Sequence, residues 1–279
     1  MMIGFFAKKR DIINKETRKK LSEMLVRITL PAMIIYSYNQ EFSDELLQNG
    51  WIMIVYSFAI HIFTIIISSF IFNKYPKDRK NILKFITIYS NCGYMGLPIL
   101  EALYGKVGIF YASMYITAFN IFTWTNGVMI FTGEKDIKAL KKALLNPGII
   151  AVFIGMIVFI FSVKLPYPVL KTFEVLGTMI GSLIADVKLK ELFSGWTLYY
   201  VTLIRLIILP LIVLFILNLA GITDAILLGA CVTTVAMPAA ANTAVFAERY
   251  NGDSAFASRA VAFTTILSML TIPAILSFI

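Results

Sequence analysis

The sequence predicts an all-α polytopic membrane protein with about nine spans, arranged as two inverted repeats that each contain a broken helix. Hydrophobic residues make up 59% of the 279 residues, and the mean hydropathy is +0.81. A water-soluble protein cannot bury this much apolar surface, so the chain is expected to lie in a membrane. Two apolar segments, one in each half, are interrupted by proline, small residues and an asparagine.

Candidate spans account for most of the chain. A membrane helix needs about 20 predominantly apolar residues. Runs of that length without Asp, Glu, Lys or Arg are Trp51–Phe72, Val107–Thr132, Ala225–Ala247 and Ala260–Ile279. Shorter or interrupted runs are Ile28–Gln40, Phe85–Leu100, Pro147–Val163, Leu165–Val187 and Trp196–Ala220. A cleavable signal peptide is not expected, because Lys8-Lys9-Arg10 follows the short apolar start.

The positively charged residues of the chain are concentrated in alternate loops. The net charge is +9, with 25 lysines and arginines, but these alternate between loops instead of forming the basic surface of a nucleic-acid-binding protein. Most lie in the loops Lys8–Lys20, Asn73–Lys84, Gly133–Asn146, Lys188–Gly195 and Glu248–Asp253. The positive-inside rule places these loops in the cytoplasm, and the loop Asn39–Gly50 and the carboxy terminus outside. We therefore expect a multi-pass protein of the plasma membrane.

The two halves of the chain resemble each other. The basic loop at residues 133–146 separates a first repeat at residues 1–132 from a second at residues 147–279. Leu103-Tyr104-Gly105 followed by Ala112-Ser113 corresponds to Arg249-Tyr250-Asn251 followed by Ala257-Ser258. If each full repeat has an odd number of spans, the repeats insert in opposite orientations, as in many secondary transporters.

The broken segments are Asn91–Pro98 and Met237–Thr243. Irregular backbone survives in a bilayer only inside protein or against a watery cavity. A half-helix amino terminus there presents free N–H groups and partial positive charge, which suit an anion. A simple proline kink in a packed bundle is the alternative for either segment alone. The predicted substrate-binding residues are Asn91, Gly93, Gly96, Pro98, Pro238, Asn242 and Thr243.

These segments carry a family resemblance. The stretches NCGYMGLPILEALYG (residues 91–105) and PAAANTAVFAERYNGD (residues 238–253) resemble the two signature segments of the auxin efflux carrier family. The resemblance covers nearly the whole chain. It implies five plus five helices, with the fourth and ninth broken and crossing near the midplane, a scaffold part and a mobile elevator-like part, and a homodimer. It also implies organic-anion substrates such as auxin or malate, and it assigns site roles to Asn91, Pro98, Pro238 and Asn242.

Two segments depart from the family pattern. Ile3–Ala7 is all that remains of the expected first helix, so the first repeat is expected to be truncated. The seventh helix also looks short, because its uncharged run is only Val175–Ala185. It would have to draw on residues 165–171 to span. Both departures fall in the predicted scaffold.

Few ionisable or reactive residues lie inside the spans. Arg205 either attracts an anionic substrate or, as we favour, pairs with Glu101 or with a free carbonyl of a broken helix. His61 is expected to bond a neighbouring helix, with a proton relay as the alternative. Cys92 and Cys231 are expected to be packing residues.

These features favour a secondary active transporter of a small organic anion, working by alternating access around the two breaks. Its expected partners are that anion and the lipid bilayer. The sequence has no HExxH or GxSxG motif, so an enzyme is not expected, and neither a cofactor nor a metal is. The alternative is a transport-incompetent, truncated family member that acts only as a membrane partner protein.

Overall fold

The computed structural model describes residues 24–39, 41–133, 145–178 and 195–279. Within these ranges the protein is helical, and the β-structure is one antiparallel bridge between Ser90 and Ala239. Four helical stretches are long and apolar enough to cross a membrane, Asp44–Ile71, Cys92–Thr132, Trp196–Leu219 and Ser254–Leu276, and Pro147–Ile160 and Ala225–Ala236 are shorter apolar helices. The predicted all-α membrane class is confirmed.

The described helices are numbered in chain order. They are α1 (Leu30–Tyr38), α2 (Asp44–Ile71), α3 (Lys77–Ile88), α4 (Leu97–Phe122), α5 (Val128–Thr132), α6 (Pro147–Ile160), α7 (Tyr167–Thr178), α8 (Trp196–Leu203), α9 (Leu209–Leu219), α10 (Ala225–Ala236), α11 (Asn242–Arg249) and α12 (Ser254–Leu276). π-Helical turns lie at Leu25–Thr29, Cys92–Gly96, Thr123–Gly127 and Ile204–Ile208.

Helix α2 begins before the uncharged run that predicted it. The Ser43 hydroxyl accepts a hydrogen bond from the Leu46 N–H group at 3.3 Å and caps the helix. Asp44 and Glu45 then occupy the first turn, where the positive end of the helix dipole stabilises carboxylates. Capping and dipole effects therefore extend the helix into polar sequence that a search for apolar runs leaves out.

Helix α4 reverses direction at Gly105. This glycine has φ +60° and ψ −146°, a conformation that side-chain-bearing residues rarely adopt. The two arms, residues 97–104 and 106–122, come so close that a Cβ on Gly108 would collide with the Leu100 carbonyl oxygen. The first arm is thus a half-helix that returns from the break.

Helices α1, α6 and α7 pack together, and this group rests on α4. At the junction the Ser113 hydroxyl of α4 donates to the Tyr38 hydroxyl of α1 at 2.9 Å. The tyrosine ring lies so close to Gly155 of α6 that a Cβ there would approach its Cδ2 to 2.6 Å. Helices α2 and α10 also pack against α4, and α10 packs against α9 and α12.

Two sequence expectations fall partly or wholly outside the described residues. The short seventh helix corresponds to α7, which starts at Tyr167 and so includes part of the stretch at residues 165–171. The remainder of Val175–Ala185 beyond Thr178 lies outside the described residues, as does Ile3–Ala7 of the expected first helix.

Candidate functional site

Two helices end and two begin at one point in the protein. Helices α3 and α10 end at Ile88 and Ala236, while the π-helical turn that leads into α4 follows Asn91 and α11 starts at Asn242. The connecting backbones pair: the Asn91 N–H group donates to the Pro238 carbonyl at 2.8 Å, and the Ala240 N–H group donates to the Tyr89 carbonyl at 3.0 Å. We call residues 89–91 and 237–241 the crossing. It brings together the two interruptions seen in the sequence.

The two prolines occupy different positions relative to the breaks. Met237, which precedes Pro238, takes an extended conformation with φ −59° and ψ 148° and ends α10, as expected before a proline. Pro98 instead follows the π-helical turn Cys92–Gly96, whose last residue, Gly96, has helical φ −64° and ψ −48°. Pro98, which the family resemblance places at the crossing, lies beyond residues 89–91 in the helical stretch that follows. It sits after the π-helical turn, and the backbone at Tyr89 and Asn91 forms the break.

Arg205 satisfies the carbonyl ends of both broken helices. Its guanidinium donates from Nε to the Met237 carbonyl at 3.2 Å, from Nη1 to Thr87 at 3.1 Å and from Nη2 to Val235 at 2.7 Å. The side chain is 1% exposed and projects from the π-helical turn Ile204–Ile208. A cation complements the negative ends of two helix dipoles. Of the partners considered from the sequence, the free carbonyls are the ones observed.

Among the described residues, the starts of the other two half-helices, at Asn91 and Ala241, have no side-chain cap hydrogen bond. The Asn91 carbonyl accepts from the Met95 and Gly96 N–H groups at 3.2 and 3.1 Å. The earlier N–H groups of that turn have no acceptor inside the helix. A Cβ added to Gly93 would meet nothing within 4 Å, whereas one on Gly96 would lie 3.6 Å from the Met237 Cγ. Open space therefore adjoins the helix start at Gly93, while Gly96 serves close packing.

The polar side chains near the crossing differ in what they do. Asn91 is buried, and Asn242 is half-buried in the first turn of α11. The Thr243 hydroxyl donates to the Ala240 carbonyl at 2.6 Å, so it supports the connector. Glu101 lies further along the first arm of α4 and is half-buried. The structure thus gathers Asn91, Pro238 and Asn242 at the breaks, and places Glu101 beyond them.

Thr264 is a residue that the sequence reasoning missed. Its hydroxyl accepts a hydrogen bond from the Ala239 N–H group at 3.2 Å, and its side chain is fully buried in α12. It holds the second connector from a helix that is distant in sequence. A threonine in the apolar run Ala260–Ile279 was the only available signal, and Thr265 and Thr271 share it.

Comparison with known proteins assigns the chain to a family. A model of the family described as membrane transport protein matches residues 1–137 and 132–276. The chain belongs to this family. It is the auxin efflux carrier family that the broken segments resemble. The protein is accordingly a transporter with several apolar helices in a membrane, and not an enzyme.

Relatives of this membrane transport protein span nearly its full length. An uncharacterized transporter of Methanocaldococcus jannaschii is 23% identical over 292 residues, covering 98% of this chain and 93% of the relative. One of Methanothermobacter thermautotrophicus is 23% identical, with the same coverage. A putative malonate transporter of Rhizobium meliloti is 22% identical, covering 93% of this chain and 86% of the relative.

Proposed function

We propose that the protein is a secondary active transporter of a small organic anion with a carboxylate group, such as malonate or malate. The observation that supports this proposal is that the carbonyl ends and the amino-terminal ends of the helices at the crossing differ in their hydrogen-bond partners. Arg205 covers the carbonyl ends of α3 and α10. The amino-terminal ends at Cys92–Gly96 and Asn242 remain available to a ligand, and these ends favour an anion.

The anion would be held mainly by neutral donors. In this proposal the amide groups of Asn91 and Asn242 donate to the carboxylate, together with backbone N–H groups near Gly93. A hydrogen bond to a charged group contributes about 1.5–3 kcal/mol. A few such bonds give measurable affinity without a buried positive charge as direct ligand. Arg205 supplies a favourable field from behind the crossing while its own hydrogen bonds hold the helices in place.

A carboxylate substrate is also consistent with one of the relatives. The Rhizobium meliloti protein is named a putative malonate transporter and aligns over 93% of this chain. Its name assigns nothing to this protein directly. It does make malonate the first compound to test, ahead of the auxin-like compounds suggested by the family resemblance.

The movement we propose is alternating access of the two inverted repeats, residues 1–132 and 147–279, around the crossing. In this scheme the substrate site near the midplane opens to one side and then to the other. No GxxxxGK[ST] phosphate-binding loop occurs in the sequence. The energy is therefore expected to come from a gradient of an ion or of the substrate.

The test is transport by the purified protein in liposomes with labelled malonate, malate and an indole carboxylate. We expect flux of at least one carboxylate above protein-free liposomes. Asn91→Ala and Asn242→Ala should each lower it by about tenfold or more, the loss of one hydrogen bond to a charged group. Asn218→Ala, an exposed asparagine at the end of α9, is the matched control. Flux that is equal in all variants would refute the site.

A further inference from the structure

His61 is the single histidine of the chain and lies buried in the middle of α2, with 1% of its surface exposed. Its Nδ1 atom is 2.7 Å from the Ser57 carbonyl oxygen. A carbonyl only accepts, so Nδ1 carries the hydrogen and Nε2 carries a lone pair. The bond stays within α2, which corrects the expectation of a bond to a neighbouring helix.

The Nε2 atom of His61 has no hydrogen-bond partner among the residues that the structure describes. A buried acceptor without a donor costs about 1–3 kcal/mol, and such groups in native proteins need an explanation. A purely structural role would be served without this cost by an apolar side chain of similar size. The lone pair therefore points to a ligand that binds during part of the transport cycle.

Aromatic rings surround the imidazole. The Phe122 ring stacks on it with an interplanar angle of 4° and a centroid distance of 5.3 Å, and the Tyr115 ring is also 5.3 Å away. Tyr89 and Phe119 follow at 6.1 and 6.2 Å. Faces of aromatic rings attract a cation within about 6 Å. The surroundings would therefore stabilise an imidazolium more than aliphatic side chains would.

The charged and titratable groups around His61 set the conditions for protonation. Tyr89 faces it from the end of α3 and Tyr115 from α4, and the Tyr89 hydroxyl donates to the Phe122 carbonyl at 2.8 Å. Burial of the ring opposes its protonation. Among the described residues, Arg205 is the charged group at the neighbouring crossing. The positive charge of Arg205 disfavours a second positive charge on His61. An anion at the crossing would offset this charge, since the guanidinium bonds the carbonyls of the crossing.

We propose that Nε2 of His61 is a proton-binding site coupled to the substrate anion. The proton adds to the Nε2 lone pair and converts the neutral ring to an imidazolium, and no other bond is made or broken. This inference rests on the proposed function, because the anion makes protonation favourable. By linkage, the protonated histidine strengthens anion binding to the same degree. Tyr89 connects the two sites, since its ring faces His61 and its carbonyl accepts the Ala240 N–H group of the crossing.

A single histidine permits a direct measurement. With nitrogen-labelled histidine in the full-length protein in nanodiscs, the two ring-nitrogen signals report tautomer and protonation without ambiguity. Between about pH 8 and pH 4 we expect the neutral Nδ1–H form to give way to the doubly protonated form, and the range extends to low pH because burial disfavours the charged ring. Saturating malonate should raise the midpoint by about 1 pH unit, a tenfold coupling. Neutral-form signals throughout this range, with and without malonate, would overturn the proposal.

Transport gives a second and separate test. An acidic exterior should speed malonate uptake by the wild type and by Thr64→Val, a buried neighbour on α2 whose hydroxyl bonds only its own helix. His61→Gln cannot take up a proton and should lose this response. A His61→Gln protein that responds like the wild type would refute the coupling. Absence of flux for every carboxylate would refute the proposed function instead, while the titration without malonate would still decide whether Nε2 binds a proton.

Discussion

At the scale of single residues, the crossing depends on side chains that satisfy backbone groups. Broken helices leave carbonyl and N–H groups without partners, and in a bilayer each such group costs several kcal/mol. Arg205 serves three carbonyls through one planar guanidinium, and a lysine ammonium cannot reproduce that geometry. Thr264 serves the N–H group of Ala239. Arg205 thus satisfies acceptors and Thr264 a donor of the same irregular backbone.

Thr264→Val should destabilise the crossing. The change keeps the shape of the side chain but removes the acceptor for the Ala239 N–H group, which costs about 1–3 kcal/mol. Thr265→Val is the matched control, because the Thr265 hydroxyl donates only to the Val261 carbonyl of its own helix. Thermal unfolding in detergent and malonate flux should both fall for the first variant and stay close to wild type for the second. Equal behaviour of the two variants would contradict the role given to Thr264.

The sequence located the helix breaks better than the contacts that stabilise them. Asn91, Pro238 and Asn242 stood out because polar residues and proline are costly in an apolar run. Arg205 stood out for the same reason, and a broken-helix carbonyl was one of its predicted partners. The sequence does not show which carbonyls Arg205 binds, because every residue carries the same backbone carbonyl group. Thr264 was missed because threonine is tolerated in membrane helices by bonding its own backbone, as Thr265 does.

At the scale of helices, the ends of the apolar runs in the sequence differ from the ends of the helices in the structure. The broken run Phe85–Leu100 is in fact the last turn of α3, the crossing and the start of α4. Helix α3 begins at Lys77, in a polar stretch where Asp78 lies in the first turn. Lys80 and Lys84 follow on the same helix. Apolar length alone does not find such a half-helix, since only part of it is surrounded by other apolar elements.

Gly105→Ala should disrupt the reversal that returns the first half-helix to α4. At φ +60° and ψ −146° a side chain is strained, at a cost of about 1–3 kcal/mol. Gly93→Ala is a suitable control for folding, since its added methyl group meets nothing within 4 Å. We expect a lower unfolding temperature for the first variant only. The Gly93 variant additionally tests the site, because its methyl group would occupy the space proposed for the anion.

At the scale of the whole molecule, the crossing is the place where distant parts of the sequence meet. Helix α3 from the first half and α10 from the second both deliver their carbonyl ends there, and the antiparallel bridge between Ser90 and Ala239 runs between them. Opposed repeats would produce such a pairing, because each inserts with the reverse direction. The charge of the loops is the independent sequence observation for this arrangement, and it predicts which side of the membrane each loop faces.

The orientation can be tested by labelling single cysteines in intact cells. Both native cysteines, Cys92 and Cys231, are buried, so their background labelling should be low. Glu41 and Lys77 are exposed at opposite ends of the stretch that contains α2. By the positive-inside rule, Glu41→Cys should react with a membrane-impermeant maleimide in intact cells, and Lys77→Cys only after permeabilisation. The reverse pattern would mean that the protein is inserted in the membrane with the opposite orientation. It would also exchange the sides of the membrane from which the anion reaches the crossing and the proton reaches His61.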